Sequence, residues 1–380
     1  MGPIATLWAR EMAARGHDVD VVAAHPHYPP DIWPQRFWPY REEREGFRVL
    51  RLPLWNGHAT ALQRIREEVT YAASAAAAAP FLGRPDVIVA VSPSFLALIP
   101  TMAIARFRRC PWILWLQDIL PDAAATTGLL ESGPLIRAAR SLERAAYRSA
   151  ARVVVISDTF SENLHRKGVD PARIARIYNP ATVDFRQSNT NAEGPLRILY
   201  VGNIGYSQGL VEFVRAFQAA DVARFAKLVI VGRGECATAV RDAITTERVE
   251  MLGYVDREHL DLELRRASIG LVSQRADIEE FNVPSKLMNL MAQGIPVWAN
   301  VRPTSETARI VSASAGGWVS NSFDPNALGN VLGAILQEPE DMRTRGERGS
   351  LYARSHFSPS HFAERFEEVL TSVVAGGHRA

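Results

Sequence analysis

The 380-residue sequence predicts an α/β protein with two doubly wound, parallel-sheet domains. Short apolar runs of strand length alternate with stretches of helical periodicity along almost the whole chain. The chain is also longer than the ~250–300 residues at which single hydrophobic cores stop growing. A polar stretch rich in helix breakers, 181–195, separates two similar halves. We therefore predict domains at 1–180 and 196–350 that face each other across a cleft, and a C-terminal segment, 351–380, able to pack back toward the first domain.

The first half contains six predicted strands separated by helical stretches such as Leu135–Ala150. The strands are VDVVAA (19–24), RVLRLP (48–53), DVIVAV (86–91), WILWLQ (112–117), RVVVIS (152–157) and ARIYN (175–179). A doubly wound domain normally opens with a strand and a glycine turn, whereas here a predicted helix, Ala5–Arg15, follows the first four residues directly. The first strand is therefore expected to be missing, with Gly2 as the remnant of the turn.

The second half contains six more predicted strands and ends in an amphipathic helix, 358–374. The strands are RILYVG (197–202), KLVIVG (227–232), VEMLGY (249–254), IGLVSQ (269–274), PVWAN (296–300) and GWVS (317–320). Four turns marked by glycine or proline follow apolar runs between 200 and 297. Because the carboxyl ends of parallel strands meet at one edge of a sheet, these turns predict a backbone-lined site of the kind that holds a nucleotide.

Composition narrows the functional class. The net charge is +2, and no dense basic stripe interleaved with aromatic residues predicts nucleic-acid binding. Residues 1–190 carry a charge of about +5 and residues 191–380 about −3, which is compatible with an N-terminal half that works near an anionic surface. Cys110 and Cys236 lack metal-site or redox spacing, and no signal peptide is visible, so we expect a cytoplasmic protein with free thiols.

Two segments raise the question of membrane contact. The apolar stretch 87–105 is interrupted by serines and prolines, so it is read as a strand, a turn and a helix. The alanine-rich stretch 69–82 is either a buried helix or an interfacial one. The loop 28–40 is rich in aromatic residues and proline, which suits a membrane interface, a sugar-stacking surface or an ordinary packed loop.

Five stretches together resemble the GT-B glycosyltransferases of family 4, most closely the bacterial surface-polysaccharide enzymes of the colanic-acid fucosyltransferase and L-fucosamine transferase type. They are ARGHDVDVVAAHPHYP (14–29), LQDILPDAAATTGLL (116–130), YVGNIGYSQGL (200–210), LVIVGRGE (228–235) and VPSKLMNLMAQGIPV (283–297). The resemblance covers nearly the whole chain. It implies the GT-B fold, a nucleotide-sugar donor bound by the second domain and an acceptor bound by the first.

The turn GNIGYSQG is the first candidate for donor binding. Gly202, Gly205 and Gly209 allow backbone N–H groups to approach a diphosphate at a helix N-terminus, although a tight turn without ligand has the same pattern. The resemblance implies an Arg and a Lys at positions that hold Asn203 and Gln208 here. The diphosphate therefore needs other cations.

Lys286 and Arg275 are the predicted replacements. Lys286 follows Pro284 and Ser285 at an expected helix start, where a phosphate gains from the dipole and an ammonium group. The chain has only three lysines, at 167, 227 and 286. Arg275 ends a predicted strand on the ligand side of the sheet. Solvated side chains remain the alternative for both.

The family's pair of glutamates is absent in register, because Phe281 and Asn289 stand at those positions. Asn289 is able to hydrogen-bond ribose hydroxyls, and Glu280 is a candidate for the catalytic carboxylate if the loop shifts. A solvated acidic loop, 277–280, is the alternative.

Two further turns are predicted to line the donor site. MLGYVD places Gly253 and Tyr254 beside the base, where Tyr254 either stacks or is an ordinary aromatic at a strand end. IVGRGE contributes Gly232 and Arg233, of which Arg233 is either a ligand contact or a solvated side chain.

In the first domain, Asp118 follows an apolar run and is predicted either to orient or deprotonate the acceptor, or to cap the following segment. His25 and His27 either line the acceptor side with Gly2 or are structural histidines.

The resulting prediction is a retaining transfer of sugar from a nucleoside diphosphate sugar to a hydroxyl of a glycan, carried on a polyprenyl diphosphate at the cytoplasmic face of the inner membrane. No obligatory metal or other cofactor is expected. Two alternatives remain at this point: a sugar-nucleotide 2-epimerase of the same fold, and a non-catalytic nucleotide-sugar binding module.

Overall fold

The computed structural model describes residues 2–27, 33, 35–57, 61–119, 133–186, 195–275, 277 and 283–377. The chain divides into two compact units. The N-terminal unit comprises residues 1–178 together with 359–380, and the C-terminal unit comprises residues 179–358. Glu280 lies outside the described residues, as does the rest of the predicted acidic loop 277–280 apart from Asp277.

The N-terminal unit contains strands and helices in alternation. Its strands are β1 (Asp20–Ala24), β2 (Tyr40–Arg44), β3 (Phe47–Leu52), β4 (Ile88–Val91), β5 (Trp112–Leu116), β6 (Arg152–Val155) and β7 (Ile174–Arg176). Its helices up to residue 178 are α1 (Pro3–Ala14), α2 (Ala61–Ala78), α3 (Leu98–Arg108), α4 (Pro134–Ser149) and α5 (Asp158–Arg166).

The C-terminal unit continues the same alternation. Its strands are β8 (Leu196–Val201), β9 (Ala226–Val231), β10 (Val249–Gly253), β11 (Ile269–Ser273), β12 (Val297–Asn300) and β13 (Gly317–Ser320). Its helices are α6 (Leu210–Ala219), α7 (Ala237–Ala243), α8 (Arg257–Arg266), α9 (Ser285–Ala292), α10 (Glu306–Ser314), α11 (Pro325–Gln337) and α12 (Pro339–His356). The last helix, α13 (Pro359–Gly377), belongs to the N-terminal unit.

All twelve predicted strands are present, eleven of them within two residues of their expected ends, and β7 ends three residues before the end of the predicted 175–179. In the C-terminal unit they form one six-stranded parallel sheet in the order β10-β9-β8-β11-β12-β13. The core of this unit is made by aliphatic strand residues and by the aromatic pair Phe213 and Trp298, whose ring centroids are 5.4 Å apart.

The N-terminal unit departs from the prediction of one parallel sheet in two ways. Its strands form two separate sheets, β1-β3-β2 and β4-β5-β6-β7. Strand β2 was not predicted, and it pairs antiparallel with β3. The sequence of β2, YREER, is almost wholly polar, because one face of the strand is exposed and Glu42 lies beside Arg51, with 2.8 Å between carboxylate and guanidinium.

Helices from both ends of the chain complete the N-terminal core. Trp8 of α1 and Phe366 of α13 pack against each other and against Trp115 of β5, with ring centroids 4.9 to 6.1 Å apart. Arg15 and Glu367 form an ion pair of 2.9 Å at the edge of this contact. Helices α1 and α13 therefore contribute to the same hydrophobic core around β5.

Candidate functional site

The turns that follow β8, β9 and β10 lie side by side at the carboxyl edge of the C-terminal sheet. The backbone N–H of Gly202 donates to the carbonyl of Val231 at 2.9 Å, and that of Gly232 donates to Gly253 at 2.8 Å. A third bond of 2.9 Å joins the N–H of Ile204 to Arg233. The main chain itself, rather than side chains, therefore fixes the edge of the sheet.

Two glycines are required for this backbone packing. A Cβ at Gly232 would lie 1.9 Å from the carbonyl oxygen of Gly202, and the φ of Gly232 is +150°. A Cβ at Gly234 would lie 2.4 Å from the carbonyl oxygen of Ile204. The absence of side chains keeps this surface open to the close approach of a ligand.

The turn from Gly202 to Gly209 is closed by its own glutamine. Gln208 accepts a hydrogen bond from the N–H of Gly205 at 2.9 Å and donates to the Ser207 hydroxyl at 2.8 Å. Gly209 then begins α6 with a φ of +60°. Asn203 lies exposed on this turn. At the position where the family resemblance implies a cation, Gln208 thus holds the shape of the turn.

Lys286 lies directly beneath this turn, in the first turn of α9. Its ammonium donates to the Tyr200 hydroxyl at 2.6 Å and lies 3.8 Å from the centroid of the Tyr200 ring. Tyr200 in turn donates to the carbonyl of Asn203 at 2.5 Å. A Cβ at Gly202 would lie 3.4 Å from the Lys286 nitrogen. The amine is therefore beside the backbone that the sequence predicted to receive the diphosphate.

The electrostatics of Lys286 are unusual for a lysine. Within the described part of the chain no carboxylate pairs with it, and burial lowers its pKa to about 7. Burial also raises the pKa of Tyr200, so the phenol stays neutral. The site therefore holds an amine poised between its neutral and charged forms, and an anion placed beside it would favour the charged form.

Arg275 follows β11 and lies next to the same turn, but its charge is already balanced. Its guanidinium forms ion pairs with Glu212 at 2.5 Å and Asp277 at 3.0 Å, and it stacks over the Tyr206 ring at 4.3 Å. The hydrogen bond that Arg275 donates to the Asp277 carboxylate raises the pKa of Arg275. Its backbone N–H donates to Ser207 at 3.0 Å, so Arg275 braces the turn from β11.

The turns after β9 and β10 present an exposed pair. The guanidinium of Arg233 lies 5.1 Å from the centroid of the Tyr254 ring, and Tyr254 is 75% exposed. A planar, exposed aromatic at the ligand edge of a sheet is a stacking surface for a base or a sugar.

The remaining predicted donor residues lie on or before α9. Pro284 precedes the helix and Ser285 is its exposed first residue. Asn289 accepts a hydrogen bond from the N–H of Thr182 at 2.8 Å, which fastens the linker segment to the helix. A ribose contact by Asn289 would have to compete with this bond or use its remaining donor.

In the N-terminal unit, the predicted acceptor-side residues lie at strand ends. Asp118 follows β5, accepts a hydrogen bond from the N–H of Ile119 at 2.9 Å, and has its pKa raised by burial. His25 follows β1, is only 4% exposed and packs on Tyr40, and burial lowers its pKa. His27 lies 3.3 Å from Glu67. Gly2 caps α1, and a Cβ there would meet no neighbour.

Sequence reasoning missed several residues that shape the carboxyl edge of the C-terminal sheet. Tyr200 accepts a hydrogen bond from the Lys286 ammonium. Glu212 and Asp277 form ion pairs with Arg275. Glu235 accepts a hydrogen bond from the N–H of Tyr206 at 3.2 Å. A tyrosine within the apolar run of β8, residues 198–201, was the one signal available for Tyr200. Among the described residues, no group of three or more His, Cys, Asp and Glu side chains is placed to hold a metal ion.

Comparison with known proteins gives the family of each half. Residues 1–180 match the model of the glycosyl transferase 4-like domain, and residues 182–351 match that of the glycosyl transferases group 1. A relative is the putative colanic acid biosynthesis glycosyl transferase WcaI of Escherichia coli K12, 27% identical over 351 residues, with 86% of this chain and 85% of that protein covered.

Solved structures give the fold. Sucrose-phosphate synthase from Thermosynechococcus elongatus superposes with a TM-score of 0.70 at 20% identity, covering 97% of this chain and 92% of that one. HepE from Anabaena, solved in complex with UDP, has a TM-score of 0.63 at 16% identity and covers 86% of each chain. With both halves matched in order and the GT-B fold in place, this chain belongs to the glycosyltransferases that join a glycosyl transferase 4-like domain to a group 1 domain.

Proposed function

We propose that this glycosyltransferase moves a sugar from a nucleoside diphosphate sugar to a hydroxyl of a growing bacterial polysaccharide, with retention of the anomeric configuration. The acceptor glycan is carried on a polyprenyl diphosphate, and the reaction takes place at the cytoplasmic face of the inner membrane. The name of the Escherichia coli relative, which concerns colanic acid biosynthesis, supports the polysaccharide assignment.

One observation carries the donor assignment. Lys286 places its amine beneath the Gly202 turn, 2.6 Å from Tyr200, in the first turn of a helix and without a carboxylate partner among the described residues. A cation without a counter-ion at a helix N-terminus is suited to a diphosphate. HepE, a chain of the same fold, was solved with UDP, the leaving group of a UDP-sugar.

In the proposed transfer one bond at the anomeric carbon breaks and another forms. The bond between the anomeric carbon and the diphosphate oxygen breaks, and a bond from the acceptor oxygen to that carbon forms on the same face of the sugar. The negative charge that develops on the diphosphate is stabilised by Lys286 and by the N-terminus of α9. The acceptor hydroxyl loses its proton, for which Asp118 is the proposed base because burial raises its pKa.

Arg275, Arg233 and Tyr254 take supporting roles in this proposal. Arg275 holds the donor turn through Ser207, since its own charge is met by Glu212 and Asp277. Arg233 and Tyr254 offer a stacked pair to the base. No obligatory metal is part of the proposal.

The test is donor binding followed by turnover in two lysine variants. A thermal-shift screen against UDP-, GDP-, dTDP- and ADP-sugars identifies the donor, because selective binding raises the apparent stability. Lys286→Ala is expected to lower turnover about tenfold or more by removing charge stabilisation. Lys227→Ala is the matched control. Lys227 lies near the N-terminal end of β9, away from the turn that follows this strand, and it pairs with Glu250 at 2.7 Å. Unchanged turnover in Lys286→Ala would remove Lys286 from the mechanism.

A further inference from the structure

Helix α2 of the N-terminal unit shows the reverse of an ordinary surface helix. Its exposed positions recur every three or four residues along its whole length, and apart from Arg64 and Arg66 they are apolar. They are Leu62, Ile65, Val69, Ala73, Ala76 and Ala77. Leu62 is 76% exposed, Ile65 43% and Val69 49%. We call these six residues the α2 stripe.

Apart from Arg64 and Arg66, the polar side chains of α2 are less exposed, and four of them are hydrogen-bonded to other segments of the unit. Thr70 accepts from the N–H of Trp55 at 2.9 Å, the Tyr71 hydroxyl donates to Val22 at 3.2 Å, and the Ser74 hydroxyl donates to Pro53 at 2.8 Å. Glu68 accepts from the N–H of Leu96 at 3.0 Å. A helix on the surface of a globular protein normally turns its polar side to water. Here the polar side is satisfied inside, so the apolar stripe is left facing outward.

Aromatic and basic side chains border the stripe at its C-terminal end. The guanidinium of Arg108 donates to the carbonyl of Ala79 at 2.6 Å and to that of Gly83, which brings the end of α3 against the end of α2. Phe81 is 77% exposed and Phe107 is 89% exposed. Close to these two residues in sequence are one exposed acid, Asp86, and three exposed arginines, Arg84, Arg106 and Arg109.

The N-terminal end of the stripe has the same character. Trp55 is 52% exposed, and the guanidinium of Arg66 lies 4.8 Å from the centroid of its ring. The bond from Trp55 to Thr70 fixes this tryptophan against α2. Aromatic rings and arginines thus mark both ends of an 18-residue helix about 27 Å long.

We propose that the α2 stripe, together with Phe81 and Phe107, is a docking surface that lies flat in the interface of an anionic lipid membrane. Apolar side chains on one face of such a helix enter the boundary of the acyl chains. Tryptophan and phenylalanine rings favour that depth, and arginines bind lipid phosphates. Within the described residues no helix is long and apolar enough to cross a membrane, so the contact is one of surface binding.

Charge favours a membrane over a second copy of this chain as the occupant. A symmetric dimer through the stripe would bring the arginine groups of two copies near each other, and like charges repel. A bilayer with anionic headgroups attracts the same groups. This docking site does not depend on sugar transfer, since it concerns only a surface of the N-terminal unit.

The first experiment measures co-sedimentation of the full chain with vesicles. Vesicles of phosphatidylcholine mixed with phosphatidylglycerol are compared with phosphatidylcholine alone. The unchanged protein is expected to bind the mixed vesicles and to lose affinity at high salt. Ile65→Glu/Val69→Glu is expected to lower the binding about tenfold or more, because two carboxylates would enter the acyl boundary. Leu351→Glu, at a 70% exposed leucine of the C-terminal unit, is the matched control and should bind like the unchanged protein.

A second measurement locates the contact. In a Cys236→Ser background, a polarity-sensitive dye on Ala73→Cys should shift to the blue with mixed vesicles, and the same dye on Leu351→Cys should not. Equal binding by the double glutamate variant, or no binding to mixed vesicles at low salt, would overturn the proposal. So would a concentration-dependent dimer in solution that Ile65→Glu/Val69→Glu abolishes, since the stripe would then be a contact between copies.

Discussion

In the C-terminal unit, β8 pairs with a strand on each side, whereas β1 and β4 of the N-terminal unit each pair on one side only within the described residues. The consequence is visible in burial. All five residues of β11, the neighbour of β8, are buried, but all four residues of β4 are only half-buried. The C-terminal unit has one sheet that is continuous across its middle. The N-terminal unit instead has two sheets, and β1 and β4 are edge strands of these sheets.

A buried tryptophan in each unit shows the same contrast. Trp298 on β12 donates its indole N–H to the Ser320 hydroxyl at 2.9 Å. Trp115 on β5 is equally buried, at 0% exposure, yet its indole N–H has no partner in the described part of the chain. Trp115 is held instead by the rings of Trp8, Phe362 and Phe366.

The difference teaches that the two units gain their stability from different sources. In the C-terminal unit a continuous backbone ladder crosses the middle of the sheet, and backbone-to-backbone hydrogen bonds join the turns at its ligand edge. Aromatic packing from α1 and α13 dominates the centre of the N-terminal unit. Side chains of the two chain ends therefore take the place that a continuous ladder has in the other unit.

Removal of one ring from each unit tests this comparison with the largest expected effect. Phe366→Ala should lower the free energy of unfolding of the N-terminal unit by about 3–5 kcal/mol, toward the upper end of that range, because the split sheet offers little else to bind α13. Hydrogen-exchange mass spectrometry should show lost protection in α1, β5 and α13, with α6 and β12 unchanged.

Phe213→Ala is the matched change in the C-terminal unit, since both phenylalanines are fully buried and contact a tryptophan. It should cost less, about 3 kcal/mol, because the ladder around Trp298 remains. The comparison fails if Phe213→Ala is the more destabilising change, or if either variant loses protection equally in both units.

The backbone packing of the ligand edge predicts the next effect. Gly232→Ala places a methyl group 1.9 Å from the carbonyl of Gly202 at a φ of +150°. The turn must move, so we expect a loss of about 2–3 kcal/mol and weaker donor binding. Stability is measured by denaturant unfolding, and binding by calorimetry with the donor found in the screen.

Gly253→Ala provides the control for strain without collision. Gly253 has a φ of +71°, but a Cβ there meets nothing within 4 Å. Only the left-handed backbone penalty of about 1 kcal/mol is then expected. If both alanines cost the same, backbone contact between the turns is not what fixes the edge.

The sequence predicted the elements whose causes lie in local residue types. Apolar runs separated by helical periodicity are sufficient to find strands such as β8 and β11. The glycine turns were also predictable, because glycine is the residue that allows a tight turn and a close approach of two backbones. Strand β2 was not predicted, since its polar sequence makes sense only once Glu42 is seen beside Arg51 of β3.

The chemistry of the candidate site was less predictable, because it depends on contacts between distant positions. Lys286 and Tyr200 are 86 residues apart in the chain, and Asn289 and Thr182 are 107 apart. No local pattern shows that Arg275 is neutralised by Glu212 or that α2 turns its polar side inward. The residue types in the sequence were sufficient to select the candidates. The ion pairs in the folded protein decide which candidates keep a charge that is available to a ligand.

The two units also differ in whether their buried cations are paired with a carboxylate. The pH dependence of stability tests this difference, and its expected effect per pH unit is small. In the N-terminal unit the buried guanidinium of Arg51 pairs with Glu42, and Lys167 pairs with Glu143 at 2.7 Å. At the donor edge of the C-terminal unit, Lys286 has a pKa lowered from 10.5 to about 7 by burial. The unfolded chain therefore binds one more proton than the folded chain between these two values, so stability should rise with pH across this window and be flat with respect to this group below pH 7.

Lys286→Met should remove this dependence and stabilise the free protein below pH 7, because no charge is then buried. The slope that it removes should be at most about 1.4 kcal/mol per pH unit, since the folded and unfolded chains differ by at most one proton at this group. Denaturant unfolding at several pH values measures it, with Lys227→Met as the control that keeps the slope of the unchanged protein. A bound diphosphate should reverse the balance, because the charged amine then has a counter-ion and the folded state keeps its proton to higher pH. If the donor instead binds without proton uptake above pH 7, Lys286 is not the group that meets the diphosphate, and the donor edge is held by backbone alone.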